Sequence, residues 1–524
     1  MKRTFIAAAA ALLLPSAAMA AGPQIALPQG TVEGISQYAV DSFKGIPYAA
    51  PPVGALRWRA PQAPASWQGV RVADRFAPDC MQVPVSWDDA PSTVKPAEDC
   101  LYLNVWRPAA AAAGQKLPVM VWIHGGGFVN GGTSPDIYDG SAFAKDGVIL
   151  VSINYRLGRF GFFAFPELSR ADADHGLLGD YAFMDQIGAL KWVQANIAAF
   201  GGDPANVTIF GESAGGASVH ALLTAPDAKG LFARAIIQSG GGRSLLPPRD
   251  IRTDRADAPS AETLGVNFAR KNGIAGSDAK ALAALRALPA DAVAGELSMA
   301  TSGKQQDIYP GTIADGRLVR ETPDKAYAAG RHAHVPVMVG ANTADISNVN
   351  VASKDDLFQR FGPLAAQARA AYDPNGDKPL AQTQFEVGMD GLMSEPARLT
   401  ARTLAAQGVT TYEYRFGYTA SAKRASSPFG APHASELPFV FAKVAQRYGV
   451  DATPDDYAEA RLIHAYWVNF ARTGNPNGPG LETWPAYTAA GDAVLTFTPD
   501  VKAVGAADPW KARLDVTEAR ARSQ

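Results

Sequence analysis

The chain has 524 residues, 47% of them hydrophobic and 19% charged, with 48 Lys and Arg against 50 Asp and Glu. A net charge of −2 argues against nucleic acid or an anionic membrane surface as a partner. No stretch reaches the roughly 18 apolar residues of a permanent membrane anchor.

The first signal in chain order is a secretory leader. Met1-Lys2-Arg3 is a basic start, Phe5 to Leu14 an apolar run, and Ala18-Met19-Ala20 a small-residue cleavage site, so residues 1–20 are expected to be removed after Ala20. The pattern is bacterial in style and points to the periplasm or the medium. Leu117-Pro118-Val119-Met120-Val121-Trp122-Ile123 then predicts a buried strand, ending in His124-Gly125-Gly126-Gly127-Phe128. Three successive glycines leave the backbone bare, so its N–H groups can approach a substrate oxygen; taken alone, an ordinary glycine-rich turn is the better reading.

Val207-Thr208-Ile209-Phe210 predicts a second strand, which runs into Gly211-Glu212-Ser213-Ala214-Gly215, and Ala217 to Leu223 reads as helix. A strand, a sharp turn and a helix with serine at the apex make a nucleophile elbow. A side chain at Gly211 or Gly215 would collide with the neighbouring strand and helix. The helix N-terminus faces the serine, where negative charge develops in acyl transfer. Together the two glycine motifs point to a serine hydrolase. Further on, Ala-rich, helical-looking stretches at about 244–309 and 354–407 carry no recognisable chemistry. They are expected as insertions above the carboxyl ends of a sheet, shaping a pocket. Val335 to Gly340 predicts another strand, followed by Ala341-Asn342-Thr343-Ala344-Asp345. Thr411 to Phe416 predicts one more, followed by a loop containing Gly430-Ala431-Pro432-His433-Ala434-Ser435-Glu436.

These motifs and their order resemble the type-B carboxylesterase family, which includes cholinesterases, bacterial para-nitrobenzyl esterases and bile-salt-stimulated lipase. Further matches are Phe43-Lys44-Gly45-Ile46-Pro47-Tyr48-Ala49, Glu98-Asp99-Cys100-Leu101-Tyr102-Leu103-Asn104-Val105, Asn154-Tyr155-Arg156-Leu157-Gly158, Phe200-Gly201-Gly202-Asp203-Pro204 and Asn469-Phe470-Ala471-Arg472-Thr473-Gly474-Asn475-Pro476. The resemblance implies an α/β-hydrolase fold, a central and mostly parallel sheet flanked by helices with helical insertions over the active site. It also implies hydrolysis of small-molecule esters through an acyl-enzyme.

Within that frame Ser213 is the expected nucleophile. Of seven histidines, His433 sits in a loop beyond a strand and matches the family's catalytic histidine motif. His124 belongs to the glycine loop, His220 lies two turns into the helix, His175, His332 and His334 read as surface residues, and His464 falls in a helical stretch. The acid should lie between Ser213 and His433. The family pattern Gly-x-Asn-x-x-acid-Gly places it at Asp345, with Ile346 where relatives carry Gly; Glu436 is the rival. Elbow logic gives Ala214 N–H as one oxyanion donor, and resemblance adds Gly126 and Gly127. Glu212 adds negative potential beside the serine. The two cysteines, Cys80 and Cys100, are expected to pair, because export exposes them to oxidation and their contexts resemble the family's first disulfide. Resemblance also implies ion pairs Arg57–Glu98 and Arg156–Asp185. No metal or cofactor is expected, and Trp87 does not sit where cholinesterases hold choline. Triad members this far apart must converge in one core, so 21–524 is expected as a single domain. Two other readings are a cholinesterase-like binding protein without catalysis and a peptidase or amidase on the same fold. The acyl and alcohol groups and the oligomeric state are left open.

Overall fold

The computed structural model describes residues 22–243, 248–488 and 490–523. The expected leader over 1–20 and residues 244–247 of the first insertion lie outside them. An eleven-stranded sheet carries the site. Its strands are β1 (Ile35–Gln37), β2 (Val40–Pro47), β3 (Tyr102–Pro108), β4 (Leu117–Ile123), β5 (Ile149–Ile153), β6 (Gly202–Glu212), β7 (Arg234–Gln238), β8 (Val337–Asn342), β9 (Thr411–Phe416), β10 (Ala493–Phe497) and β11 (Ala503–Ala507). Across the sheet they run β11-β10-β9-β8-β7-β6-β4-β5-β3-β2-β1. The pairs from β10 through β5 are parallel; those at both edges are antiparallel.

The central strands are apolar on both faces because helices cover both. In β4, Val119, Val121 and Ile123 enter one hydrophobic core while Met120 and Trp122 enter the other, and β6 divides the same way. β4 and β9 coincide with the strands predicted for them. β8 starts at Val337 instead of Val335, since Pro336 has no N–H to give a ladder, and it runs on to Asn342.

Three helices place the site. α1 (Ala214–Thr224) packs on β6 and β7. α2 (Leu380–Met389) and α3 (Glu395–Ala406) are joined by a π-helical turn at Asp390–Ser394. α3 packs against β8 and β9, with Ala397, Ala401 and Leu404 in the main core. The end of the 354–407 stretch is therefore a sheet-covering layer and not an excursion. Alanine-rich periodicity does not tell a helix that covers a sheet from one that covers other helices. The rest of that stretch builds a satellite core of Leu357, Phe358, Phe361, Tyr372 and Val387 with Val516.

Buried arginines fasten the first insertion. Arg159 donates to the carbonyls of Val293, Ala294 and Ile308 and to the Gln305 side chain. Arg57 donates to the carbonyls of Leu285 and Leu288 and forks onto Glu98 at 2.6 Å. Arg156 forks onto Asp185 at 2.7 Å, both side chains buried. Removing one partner of such a pair strands a buried charge at about 3–5 kcal/mol. Cys80 and Cys100 form a disulfide, both buried. Among the described residues no helix is long and apolar enough to cross a membrane.

The disulfide closes a loop of 20 residues. On a chain-entropy model this stabilises by about 3 kcal/mol. Chemical denaturation of the Cys80→Ala/Cys100→Ala protein should read a loss of that order. An unchanged midpoint would show that the loop holds its shape without the bond.

Candidate active site

β6 ends at Glu212 and runs into Ser213, whose backbone sits at φ 56°, ψ −121°. A side-chain-bearing residue is strained there by about 1–3 kcal/mol. Its surroundings impose the angles. Ser213 N–H donates to the Gln238 carbonyl at 3.0 Å, and its carbonyl accepts Ala217 N–H at 2.8 Å to open α1. A methyl group on Gly215 would lie 2.0 Å from the Ile123 carbonyl oxygen, and one on Gly211 2.5 Å from the Gly215 backbone. Only glycine lets the helix close this tightly on β4. α1 begins at Ala214, three residues before the predicted helix, so its free N–H groups and positive dipole end lie at the serine.

The glycine loop after β4 is pressed against this turn. A methyl group on Gly125 would fall 2.8 Å from the Glu212 carbonyl and 3.1 Å from Ser213 Cβ. Gly126 and Gly127 have φ of 101° and 62°. Among the described residues their N–H groups find no acceptor, whereas the Gly126 carbonyl takes Val129 and Asn130 N–H. His124 braces the loop: its Nδ1 donates to the Gly125 carbonyl at 2.9 Å and its ring stacks on Tyr155. Burial pushes this imidazole down to about 4, so it is neutral.

Asp345 and His433 meet across the ends of β8 and β9. Asp345 Oδ1 lies 2.5 Å from His433 Nδ1. Oδ2 accepts Ser239 Oγ at 2.6 Å and Asn342 N–H at 3.0 Å. The two loops are laced together by Ala344 N–H donating to the Ala431 carbonyl and Ala431 N–H to Thr343 Oγ1. Ile346 stays out of the positive-φ region; its side chain is exposed and its N–H donates to Asp345 Oδ1 at 2.8 Å. Glu436 takes a different place. Its carboxylate accepts Gln238 Nε2 at 2.9 Å and Asn342 Nδ2 at 2.7 Å, tying the ends of β7 and β8 to the histidine loop.

The other face of the imidazole meets Glu212: His433 Nε2 is 3.1 Å from Glu212 Oε1. Among the described residues no hydrogen bond joins Ser213 Oγ to His433, although both line one cavity. Such contacts often tighten only around substrate. Burial pushes the Glu212 carboxyl up to about 8; His433 opposes this, and Glu436 and Asp345 add to it. Burial disfavours a charged His433, but Glu212 and Asp345 outweigh it and push the imidazole up to about 10. For Asp345, burial is outweighed by His433 and Ser239, which hold it below the usual carboxylate range. Glu212 and His433 thus compete for one proton and titrate together.

The sequence did not single out Ser239, Gln238 or Asn342, because nothing local separates a serine that holds an acid from any other after a strand. His220 is buried and bonded to the Tyr327 hydroxyl, and His464 to the Val440 carbonyl. His332, expected at the surface, is half-buried against Gln407. Among the described residues no three His, Cys, Asp or Glu side chains are placed to hold a metal ion.

The model of the Carboxylesterase family matches residues 21–512. The chain is 35% identical to fumonisin B1 esterase of Sphingopyxis macrogoltabida, over 94% of this chain and 90% of that protein. It is 36% identical to para-nitrobenzyl esterase of Bacillus subtilis, over 87% and 91%. A solved carboxylesterase of Geobacillus stearothermophilus superposes with a TM-score of 0.78 at 36% identity, covering 94% of this chain and 99% of that one.

Glu212 raises the His433 pKa through its negative charge. Glu212→Gln should therefore lower it, as read by NMR titration of the imidazole. An unchanged or higher value would mean that Glu212 is uncharged wherever His433 titrates.

Proposed function

Since the chain belongs to the carboxylesterase family and hydrolyses carboxylic esters, we propose that Ser213, His433 and Asp345 are its catalytic triad. The observation that carries this is the 2.5 Å contact of Asp345 with His433, on a ring that shares a cavity with the strained elbow serine.

Ser213 Oγ attacks the ester carbonyl while His433 Nε2 takes its proton. Asp345 holds Nδ1–H, which fixes the tautomer and stabilises the imidazolium. To reach Oγ, Nε2 gives up its contact with Glu212, whose charge then remains beside the cation. The N–H groups of Gly126, Gly127 and Ala214 receive the oxyanion, each such donor being worth about 2.7–4 kcal/mol. His433 passes its proton to the departing alcohol, and a water activated by the same imidazole releases the acid.

Export is part of the proposal. The leader pattern over 1–20 and the Cys80–Cys100 bond support a periplasmic or extracellular enzyme whose single domain spans 21–524.

Ser213→Ala should abolish turnover of p-nitrophenyl butyrate in a folded protein, and residual activity within tenfold of the parent would remove the nucleophile. Asp345→Asn should lower kcat by about 10³–10⁴, and Glu436→Gln far less; the reverse ranking in folded variants would make Glu436 the triad acid. Catalysis needs neutral His433, whose pKa is raised. The rate should therefore climb with pH beyond the ordinary imidazole value of about 6.5, and a profile already level there would show that Glu212 and Asp345 do not raise the His433 pKa.

A further inference from the structure

The turn Asp136–Tyr138 has a cavity on each side. Ile137 and Tyr138 line the one that holds Ser213 and His433. Asp136, with Asp139 just beyond it, lines another of 400 Å³ at the β1–β2 edge of the sheet. The short helix Val444–Tyr448 is shared in the same way. Arg447 and Tyr448 face the first cavity, Lys443 and Gln446 the second.

Charge in the second cavity is unbalanced. Its ionisable lining is Lys44, Lys145, Lys443, Asp136 and Asp139. Asp139 is satisfied: it accepts Lys443 Nζ at 2.5 Å, Ser141 N–H at 3.1 Å and Trp106 Nε1 at 3.1 Å. Lys443 gives a second proton to Ser141 Oγ at 2.7 Å, and an ammonium has three. Lys145 and Asp136 are exposed and offset each other. The remainder is Lys44. Its ammonium lies 4.4 Å from the centre of the Phe76 ring, and among the described residues it pairs with no carboxylate. Burial holds its pKa below the ordinary lysine value; Asp139 and Asp136 oppose this and Lys443 adds to it. Two ammonium groups close enough to repel, one of them partly withdrawn from water, leave a place for an anion between them.

The rest of the lining suits an apolar tail. Val40, Trp106 and Tyr38 supply it. Tyr38 is 80% exposed and stands with Ala39 on the β1–β2 turn, both at positive φ, as a two-residue hairpin of this twist requires.

We propose that this second cavity binds a carboxylate with an apolar tail, the class of acid that ester hydrolysis releases, between Lys44 and Lys443. A carboxylate that accepts from Lys443 competes with Asp139 for it, and the Asp139–Lys443 pair is what clasps the turn to the helix. Loosening that clasp shifts Ile137 and Tyr138 on the other side of the wall, so occupancy of one cavity alters the other.

Butyrate is the probe, and phosphate the oxyanion without a tail, both at constant ionic strength. By calorimetry butyrate should bind the native protein. Lys44→Gln should weaken this at least about tenfold, the loss of a hydrogen bond to a charged group, whereas Lys44→Arg should retain it. Asp136→Asn, an exposed change, should tighten it by removing a like charge. In turnover of p-nitrophenyl acetate, butyrate should change kcat. An acid that rebinds only beside Ser213 competes with the ester and raises KM alone. The change in kcat should vanish in Lys44→Gln, whose own kcat without butyrate stays that of the parent. Thermal unfolding shows that each variant is folded. Binding that survives Lys44→Gln intact, phosphate binding as tight as butyrate, or a purely competitive effect of butyrate on the native protein would each overturn the inference. The calorimetric result does not depend on turnover, so it stands or falls apart from the assignment of Ser213.

Discussion

The close approach of α1 to the end of β4 is the constraint on which the site is built. Where a methyl group on Gly215 would stand 2.0 Å from the Ile123 carbonyl oxygen, no residue but glycine is tolerated, and the chain has no slack between strand and helix. That lack of slack turns Ser213 to positive φ, presents its side chain at the sheet edge and brings free helix N–H groups to it. The same approach seats the Gly125–Gly127 loop on the elbow from the β4 side. The strain of about 1–3 kcal/mol at one serine is small beside a core in which residues 119–123 of β4 and 207–212 of β6 are buried on both faces. The sheet can hold it.

Charge is the second constraint. Glu212, Asp345 and Glu436 are buried around one imidazole, and three bare carboxylates there would be untenable. Each is handled differently. Asp345 is satisfied by hydrogen bonds and remains an anion. Glu436 accepts two side-chain amides and becomes a fastener between strands. Glu212 lacks comparable donors, so it shares a proton with His433. The arrangement favours a proton at the imidazole over a neutral ring. In the mechanism proposed above, this bias favours the imidazolium of the tetrahedral stage.

What the sequence disclosed follows from what is local. Leu117–Ile123 and Thr411–Phe416 read as strands because apolar runs between turn residues leave little choice, and both strands are observed with those bounds. The elbow was legible because its glycines are required by contacts within a few residues of the serine. Two things were not legible. Ser239, Gln238 and Asn342 act through partners some 100–200 residues away, and no spacing marks them. The end of the 354–407 stretch was read as excursion because alanine periodicity is silent about what it faces, whereas α3 lies on β8 and β9.

Asp345 shows how an apparent departure is absorbed. Aspartate is one methylene shorter than glutamate, so the imidazole is reached only because the acid's loop and the histidine's loop come close. Ala344 and Ala431 form that bridge, backbone to backbone, and Thr343 adds a side chain to it. A glycine after the acid would be required only for positive φ, which this turn does not use, and Ile346 therefore sits there with its side chain in solvent. With both loops laced, the remaining freedom is rotation of the Asp345 carboxylate, and Ser239 and the Asn342 N–H remove it by holding Oδ2. Oδ1 is then left facing His433 Nδ1 with no competing orientation. Since Asn342 also holds Glu436 and the Pro432 carbonyl, one amide at the tip of β8 fixes acid, fastener and histidine loop together. The geometry of the Asp345–His433 pair is in that sense a property of the sheet edge more than of the loops that carry it.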